Sequence, residues 1–541
     1  MLCTLALALA QSNPTISGVF ESHFQLSAPP DAQKFGRSVA GIGDINADGT
    51  PDFIIGAPGT DAPYENSGAA WVYSGADGSV LYHLPGKSDN QGFGARVSAA
   101  GDLDKDRVPD FLISAPSADG SWEESAGKVW AYSGATGQLL YAFAGPFPYE
   151  RIGFALCAAG DANKDGYDDF AYASSPVGSS GGSYPGAVYL RSGRDGSMLH
   201  TIHDPGTIDS KFGHAMTDMG DLNNDGHSDL AVGARDYSVD GHMEEGAVMI
   251  YSGATGLRML LIEGLLIGED FGCAVANAGD VTGDGVNDLL IGAEDDGWPT
   301  GGEGMVHLHS GADGARLLTI HGETHGGRFG AQVDVVDDIN GDRVRDFVVN
   351  APDEGAIRYL SGADGTELHK LDLQNAKIAV LGDVNHNQFL DLLVGQPNLG
   401  DGKVNVYGLE PCLRIGNDEL SARRGGNIVM SLNFPAQYEG FKYKILVSAS
   451  GTGPMTSFVD VPLSWDDHFR ASLNGNYAGT LKYQLHGTLD ANGEAFASWG
   501  FGNGFPKSMI GSTLWLAACV VSGSGKEAFF SSIARPVLIT P

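Results

Sequence analysis

Oxygen-bearing side chains recur in seven nine-residue segments of the sequence, always at positions 1, 3, 5 and 9. The sets are Asp44, Asn46, Asp48 and Asp52; Asp102, Asp104, Asp106 and Asp110; Asp161, Asn163, Asp165 and Asp169; Asp221, Asn223, Asp225 and Asp229; Asp280, Thr282, Asp284 and Asp288; Asp338, Asn340, Asp342 and Asp346; and Asp383, Asn385, Asn387 and Asp391. Calcium takes about six to eight oxygen ligands in a flexible geometry. Alternate positions of a tight loop point inward, and the carbonyl at position 7 can complete the shell. The pattern therefore predicts structural calcium sites, up to seven in number.

Two other interpretations of these loops can be weighed from the residues. Asp, Asn and Gly also favour ordinary turns, but seven copies with Asp at both positions 1 and 9 exceed what a turn requires. An EF-hand needs a Glu at position 12 and flanking helices, whereas position 12 here falls in apolar runs, as at Ile55 and Val232. Loop seven has only two carboxylates, and its occupancy is left open.

The loops belong to a long internal repeat. Their first Asp residues are separated by 58, 59, 60, 59, 58 and 45 residues. A Phe-Gly pair precedes most loops, as at Phe35-Gly36, and an apolar run follows each, as at Phe53 to Ala57. Each copy then offers a variable segment, another apolar run and a Gly-bearing hairpin. Short strands of this kind without a helical period are typical of propeller blades.

Seven copies predict a seven-bladed β-propeller over residues 17–410. The seventh copy ends early, after its third strand at Lys403 to Tyr407, while a spare strand, Val19 to Ser27, precedes the first copy. We expect this N-terminal strand to complete the seventh blade, because a closed ring leaves no exposed sheet edge.

The repeat resembles the FG-GAP repeat of the integrin alpha-subunit propeller. The Phe-Gly pairs, the Asp-rich turn and Gly56-Ala57-Pro58 carry this resemblance. Other copies depart from Gly-Ala-Pro, as at Ser114-Ala115-Pro116 and Asn350-Ala351-Pro352. The resemblance implies a β-hairpin calcium loop in each blade and an extracellular or cell-surface setting. It is specific for the fold and much less so for the function.

The two ends of the chain lie outside the repeat. Residues 1–10 are apolar and are predicted to be a short signal peptide that leads to secretion. Residues 411–541 alternate apolar and polar positions between turn signals, which predicts a small β-sandwich domain. Cys412 and Cys519 both fall there, and whether they form a disulfide is left open.

Charge narrows the choice of partner. The formal net charge is −35, which disfavours binding to nucleic acid or to anionic lipid. No stretch is long and apolar enough for a membrane span. The inner strands, such as Val97 to Ala100, carry small residues and predict no acid–base pair at the axis.

The leading hypothesis is a secreted or cell-surface binding and adhesion module with an extracellular protein or glycan as its ligand. The alternatives are an extracellular polysaccharide-active enzyme, a lyase or esterase with its site at the channel mouth, and a purely structural spacer. In an antiparallel blade the second turns lie on the face opposite the acidic loops. Five of these turns carry an aromatic residue that could anchor a ligand. These residues are Tyr64, Trp122, Tyr184, Tyr237 and Trp298.

Overall fold

The computed structural model describes most of residues 18–411 and short segments beyond them. The described ranges are 18–61, 64–120, 124–174, 186–205, 210–238, 245–266, 268–294, 302–340, 342–387, 389–411, 413–415, 419–421, 426–433, 442–448, 482–484, 486–488, 494–501, 513–521, 528–531 and 535–540. The predicted signal segment, Cys412, Trp122, Tyr184 and Trp298 lie outside them. Within these ranges every regular element is a strand, and no helix could cross a bilayer.

Residues 18–411 form seven four-stranded antiparallel sheets, the blades of a propeller. The blades contain β2 (Ser38–Gly43), β3 (Asp52–Ala57), β4 (Ala69–Tyr73) and β5 (Val80–Pro85); β6 (Arg96–Gly101), β7 (Asp110–Ala115), β8 (Lys128–Tyr132) and β9 (Leu139–Ala144); β10 (Leu156–Ala158), β11 (Phe170–Ala173), β12 (Ala187–Arg191) and β13 (Met198–His203); β14 (Phe212–Gly220), β15 (Asp229–Ala234), β16 (Ala247–Tyr251) and β17 (Arg258–Glu263); β18 (Phe271–Gly279), β19 (Asp288–Ala293), β20 (Met305–His309) and β21 (Arg316–His321); β22 (Gln332–Val335), β23 (Phe347–Ala351), β24 (Ala356–Leu360) and β25 (Glu367–Asp372); and β26 (Lys377–Leu381), β27 (Asp391–Gln396), β28 (Lys403–Pro411) and β1 (Gly18–Ser27). The predicted all-β, seven-bladed propeller is confirmed.

The first strand of each blade lines the axis. The strands β2, β6, β10, β14, β18, β22 and β26 contact one another in cyclic order, and β26 returns to β2. The second strands are buried along their whole length, as in β3, because both faces of each blade pack against neighbouring blades. The hydrophobic core therefore lies between the blades rather than at one centre.

The Phe-Gly pairs dock each blade onto the one before it. Phe93 forms a bridge with Gly68 of the first blade, and Phe271 and Phe329 form the same bridge with the blades that precede them. The phenylalanine rings are almost completely buried, and a buried ring of this size stabilises the interface by about 1.5–3 kcal/mol.

The Gly-Ala-Pro position lets neighbouring blades approach closely. A Cβ atom on Gly56 would lie 2.0 Å from the carbonyl oxygen of Gly94, so no side chain fits there. At two of the positions where the sequence departs from glycine, a side-chain hydrogen bond to the next blade takes the place of this close approach. The Ser114 hydroxyl donates to the Gly153 carbonyl over 2.6 Å, and the Asn350 amide donates to the Ala376 carbonyl over 2.9 Å.

The seventh blade is assembled from both ends of the propeller. Strand β1 pairs antiparallel with β28 from Gly18↔Pro411 to Ser27↔Lys403, with a bulge between Ser22 and Phe24. The ring of Phe20 stacks on His369 of the sixth blade, with centroids 4.4 Å apart. Pairing of β1 therefore closes the ring.

Two further sheets follow the propeller in the region for which the sequence predicts a β-sandwich. One contains β29 (Leu413–Ile415), β31 (Gly426–Asn433), β33 (Lys482–Gln484) and β35 (Glu494–Phe501). The other contains β30 (Glu419–Ser421), β32 (Lys442–Ser448), β34 (His486–Thr488), β36 (Thr513–Val521), β37 (Ala528–Ser531) and β38 (Arg535–Thr540). Cys519 lies in β36, whereas Cys412 falls outside the described residues.

Candidate metal centres

Each acidic loop joins the first and second strands of a blade and is organised by its own side chains. In loop one, Asp44 accepts hydrogen bonds from the backbone N–H groups of Asp48 (3.2 Å) and Gly49 (2.8 Å). The amide oxygen of Asn46 accepts a second bond from the Asp48 N–H, and Asp48 accepts one from Thr50. Loops two, three, four and six repeat this pattern position for position. The oxygens at positions 1, 3 and 5 are thus held over the same turn.

Loop two brings three carboxylates together. One oxygen each from Asp102, Asp104 and Asp106 lies within 4.8 Å of the other two. Burial and the neighbouring charges of Asp106 and Asp102 raise the pKa of Asp104. Each carboxylate oxygen that accepts one N–H keeps a further lone pair. A set of hard oxygen donors under mutual repulsion fits a hard divalent cation such as calcium.

Position 6 of loops one to six has a left-handed backbone, with φ between +71° at Arg107 and +89° at Gly49. This explains why glycine occupies position 6 in loops one, three, four and five, because a residue with a Cβ pays about 1–2 kcal/mol in this conformation. Arg107 and Arg343 (φ +76°) adopt it nonetheless, so loops two and six carry local strain.

The Asp at position 9 differs from the others because it is buried in every loop. Asp110 accepts from the N–H of Leu103 inside the loop and from the N–H of Gly134 at the end of the third strand, both over 2.8 Å. Burial raises the pKa of Asp110 and Asp169 to about 7 and that of Asp346 to about 8. This residue therefore connects the loop to the third strand as well as supplying oxygens.

The glycine that bonds position 9 is a functional residue that the ligand pattern does not reveal. It belongs to a Ser-Gly pair after the third strand of the first six blades, at Gly75, Gly134, Gly193, Gly253, Gly311 and Gly362. A Cβ on Gly75 would lie 1.9 Å from the Pro51 carbonyl oxygen. The recurrence of Ser-Gly at a fixed place in the repeat is the signal that identifies it.

Loop seven is held differently. The side-chain amide of Asn387 donates to the Leu409 carbonyl over 2.7 Å, so this N–H group points into the protein. His23, at the bulge of β1, lies 3.4 Å from Asp391 and 2.9 Å from the Asn385 amide nitrogen. Loop seven is thus held by contacts with β1 and β28.

Comparison with known proteins shows which proteins this repeat resembles. The FG-GAP repeat model matches residues 35–73 and 93–132, the first two copies. Integrin alpha-5 of Xenopus laevis is 32% identical over 227 residues, and integrin alpha-V of Gallus gallus is 30% identical over 221. Integrin alpha pat-2 of Caenorhabditis briggsae is 27% identical over 316 residues. These matches cover 39%, 38% and 52% of this chain but only 21%, 21% and 24% of the relatives. The propeller is integrin alpha-like.

The aromatic residues expected on the opposite face of this FG-GAP propeller divide into three groups. Tyr64 is exposed, with 47% of its surface accessible. Tyr237 is buried, and the expectation that it is exposed as an anchor is wrong, because its ring packs into the core between the third and fourth blades. Trp122, Tyr184 and Trp298 lie outside the described residues.

The same face contains a cavity that the sequence analysis missed. It has a volume of about 670 Å³. Residues at the start of the first strands line it, at the strand ends opposite the acidic loops. Arg37, Arg96, His214 and Lys377 reach it from four different blades. The expectation that small residues line the axis is therefore wrong at this end of the channel, which we call the axial mouth.

Proposed function

We propose that this integrin alpha-like chain is an extracellular binding and adhesion module whose propeller is stabilised by calcium. The observation that carries the proposal is the set of acidic loops in register on one face, six of which hold three or more carboxylates. Without cations these groups repel one another, because like charges at short range disfavour ionisation. A bound cation would turn that repulsion into attraction.

The donor set favours calcium over magnesium. All side-chain donors are oxygens, and they sit on a turn whose geometry differs slightly from loop to loop. Calcium accepts variable coordination, whereas magnesium demands near-ideal octahedral geometry and keeps several waters. We propose one ion in each of loops one to six, with loop seven the weakest candidate.

An extracellular setting accords with calcium binding and with the apolar segment at residues 1–10. Extracellular calcium modules work with dissociation constants of about 10⁻⁴–10⁻³ M. The relatives are named integrin alpha subunits, and we propose by analogy that this chain binds an extracellular protein or glycan rather than catalysing a reaction.

Calorimetry of the full chain tests the calcium role. The free energy of unfolding should rise by about 2.7 kcal/mol for each site when calcium is at a hundredfold its dissociation constant. Removing the ion with EGTA should therefore lower the melting temperature, and calcium should restore it while equimolar magnesium restores much less. Equal melting temperatures with and without calcium would exclude the structural role.

A further inference from the structure

The axial mouth concentrates positive charge in a strongly acidic protein. Among its lining residues are Arg37, Arg96 and Lys377, which come from the first, second and seventh blades, neighbours in the ring. The N–H of Val97 donates to the hydroxyl of Ser38 over 3.0 Å, which fixes the first strands of two of these blades side by side. The three cationic side chains therefore converge on one side of the mouth.

The opposite side of the mouth is already neutralised. Arg235 pairs with Asp236 (3.1 Å), Asp270 (3.2 Å) and Glu294 (2.7 Å). Arg328 shares Glu294 over 2.5 Å. In the described part of the chain, by contrast, no carboxylate lies within 4.0 Å of Arg37, Arg96 or Lys377. The mouth is thus polarised, with its uncompensated charge on the side of the seventh, first and second blades.

Holding these cations together costs free energy. Burial and the nearby Arg37 lower the pKa of Arg96 to about 10. Burial, together with Arg37, Arg96 and Arg328, lowers the pKa of Lys377 to about 8, although Glu294 acts in the opposite direction. Perturbed groups of this kind in a cavity are typical of functional sites.

A neutral hydrogen-bonding group completes the lining. Burial and the surrounding arginines lower the pKa of His214 to about 3, so its ring is uncharged at neutral pH. Its buried Nδ1 atom has no hydrogen-bond partner. An unpaired buried polar atom costs about 1–3 kcal/mol and is expected to find its partner in a ligand or water.

We propose that the axial mouth binds a small ligand that carries at least two negative charges on oxyanion groups, held by Arg37, Arg96 and Lys377. Arginine forks match carboxylate, sulfate and phosphate oxygens, and lysine adds a point charge. A volume of about 670 Å³ suits a ligand of small-molecule size. The proposal deepens the binding function proposed above and rests on it for the use of this face.

Titration calorimetry of the calcium-loaded full chain with succinate, inorganic sulfate and acetate, at constant ionic strength, tests this. The two dianions should bind at least about tenfold more tightly than acetate, because one bound charge cannot satisfy three cations. Tighter succinate identifies an organic carboxylate as the natural group, and tighter sulfate identifies a sulfate or phosphate ester. Dianion binding no stronger than acetate binding would overturn the proposal.

Variants locate the site. Arg37→Gln with Lys377→Met should weaken dianion binding at least about tenfold. The matched control, Arg258→Gln with Arg316→Gln, removes the same charge from exposed outer-strand positions and should bind like the wild type. Equal losses in both variants would mean a general charge effect and would refute a site at the mouth.

The melting temperature of the same variants separates ligand binding from a structural role. Without anion, the Arg37→Gln, Lys377→Met variant should melt at the wild-type temperature or above it, because removing two positive charges relieves the repulsion among the cations. A clear decrease would show that these cations support the fold instead. A calcium titration of each sample tests the calcium role independently, so failure of either proposal can be recognised separately.

Discussion

The two faces of the propeller handle charge in opposite ways. On the loop face, clustered carboxylates are held by backbone N–H groups in the same pattern from blade to blade. At the axial mouth, Arg37, Arg96 and Lys377 lie six or seven residues before the first Asp of the following loop, where most other blades carry uncharged residues. No carboxylate within the described ranges neutralises them. The repeated positions thus build the scaffold, whereas positions that differ between blades supply specificity.

The two faces also differ in where the free-energy cost of charge repulsion falls. Repulsion on the loop face falls mainly on the exposed or partly exposed side chains at positions 1, 3 and 5, which a cation can reach from solvent. Repulsion at the mouth falls on the half-buried Arg96 and Lys377 beside the exposed Arg37, and the lower dielectric around the half-buried groups makes each like-charge contact more expensive. A few like charges at the mouth can therefore cost as much free energy as a larger number of like charges on the loops.

Opening the ring should damage both faces at once. Deleting residues 18–27 removes the fourth strand of the seventh blade and the His23 contacts to loop seven. We expect loss of cooperative thermal unfolding and aggregation, because the unpaired edge of β28 is exposed. The control replaces the exposed Gln33 by Ala just after the strand. A soluble deletion variant with a wild-type calorimetric transition would show that β1 pairing is dispensable.

Within one loop, position 9 and position 5 should respond differently to calcium. In EGTA, Asp346→Ala should lower the free energy of unfolding by about 2–5 kcal/mol, since it leaves the N–H groups of Ile339 and Gly362 without their acceptor. The exposed Asp342→Ala should cost much less in EGTA. In calcium, both should lose the contribution of one site. Equal effects of the two variants in EGTA would mean that position 9 has no separate structural role.

Titration of Lys377 gives the mouth a pH signature. Its folded-state pKa, about 8, lies below the ordinary value of 10.5, so between these values the unfolded chain binds more protons. Stability should therefore rise with pH across this window, and Lys377→Met should lack that component. The measurement is the difference in the free energy of unfolding between wild type and variant from pH 7 to 10. A constant difference would contradict the lowered pKa.

The smallest expected effect concerns the strained loops. Arg107→Gly should raise the free energy of unfolding by up to about 1 kcal/mol, because relief of the left-handed strain outweighs the extra freedom of the unfolded chain. The same change at the exposed Lys87, outside these loops, should not stabilise. A destabilised Arg107→Gly variant would show that the arginine side chain has its own role in loop two.

The repeat made the fold and the acidic loops predictable from sequence, because spacing alone fixes which residues share a turn. It could not reveal the axial mouth. Arg37 follows its Phe-Gly pair directly, Arg96 follows one residue later, and Lys377 has no such pair. Only closure of the ring brings these residues together. The burial of Tyr237 could not be predicted either, because a loop's sequence does not say whether its aromatic ring packs inward.

Closure by β1 has a consequence for the timing of synthesis. His23 and its neighbour Asp391 are 368 residues apart in the chain. At a translation rate of about 5–20 residues per second, the first of these waits roughly 20 to 75 s for the second. Six blades can be completed in order during that interval, while β1 has no partner strand. The nascent chain thus carries an unpaired strand throughout that interval, and a factor that shields this strand would act on it before the ring exists.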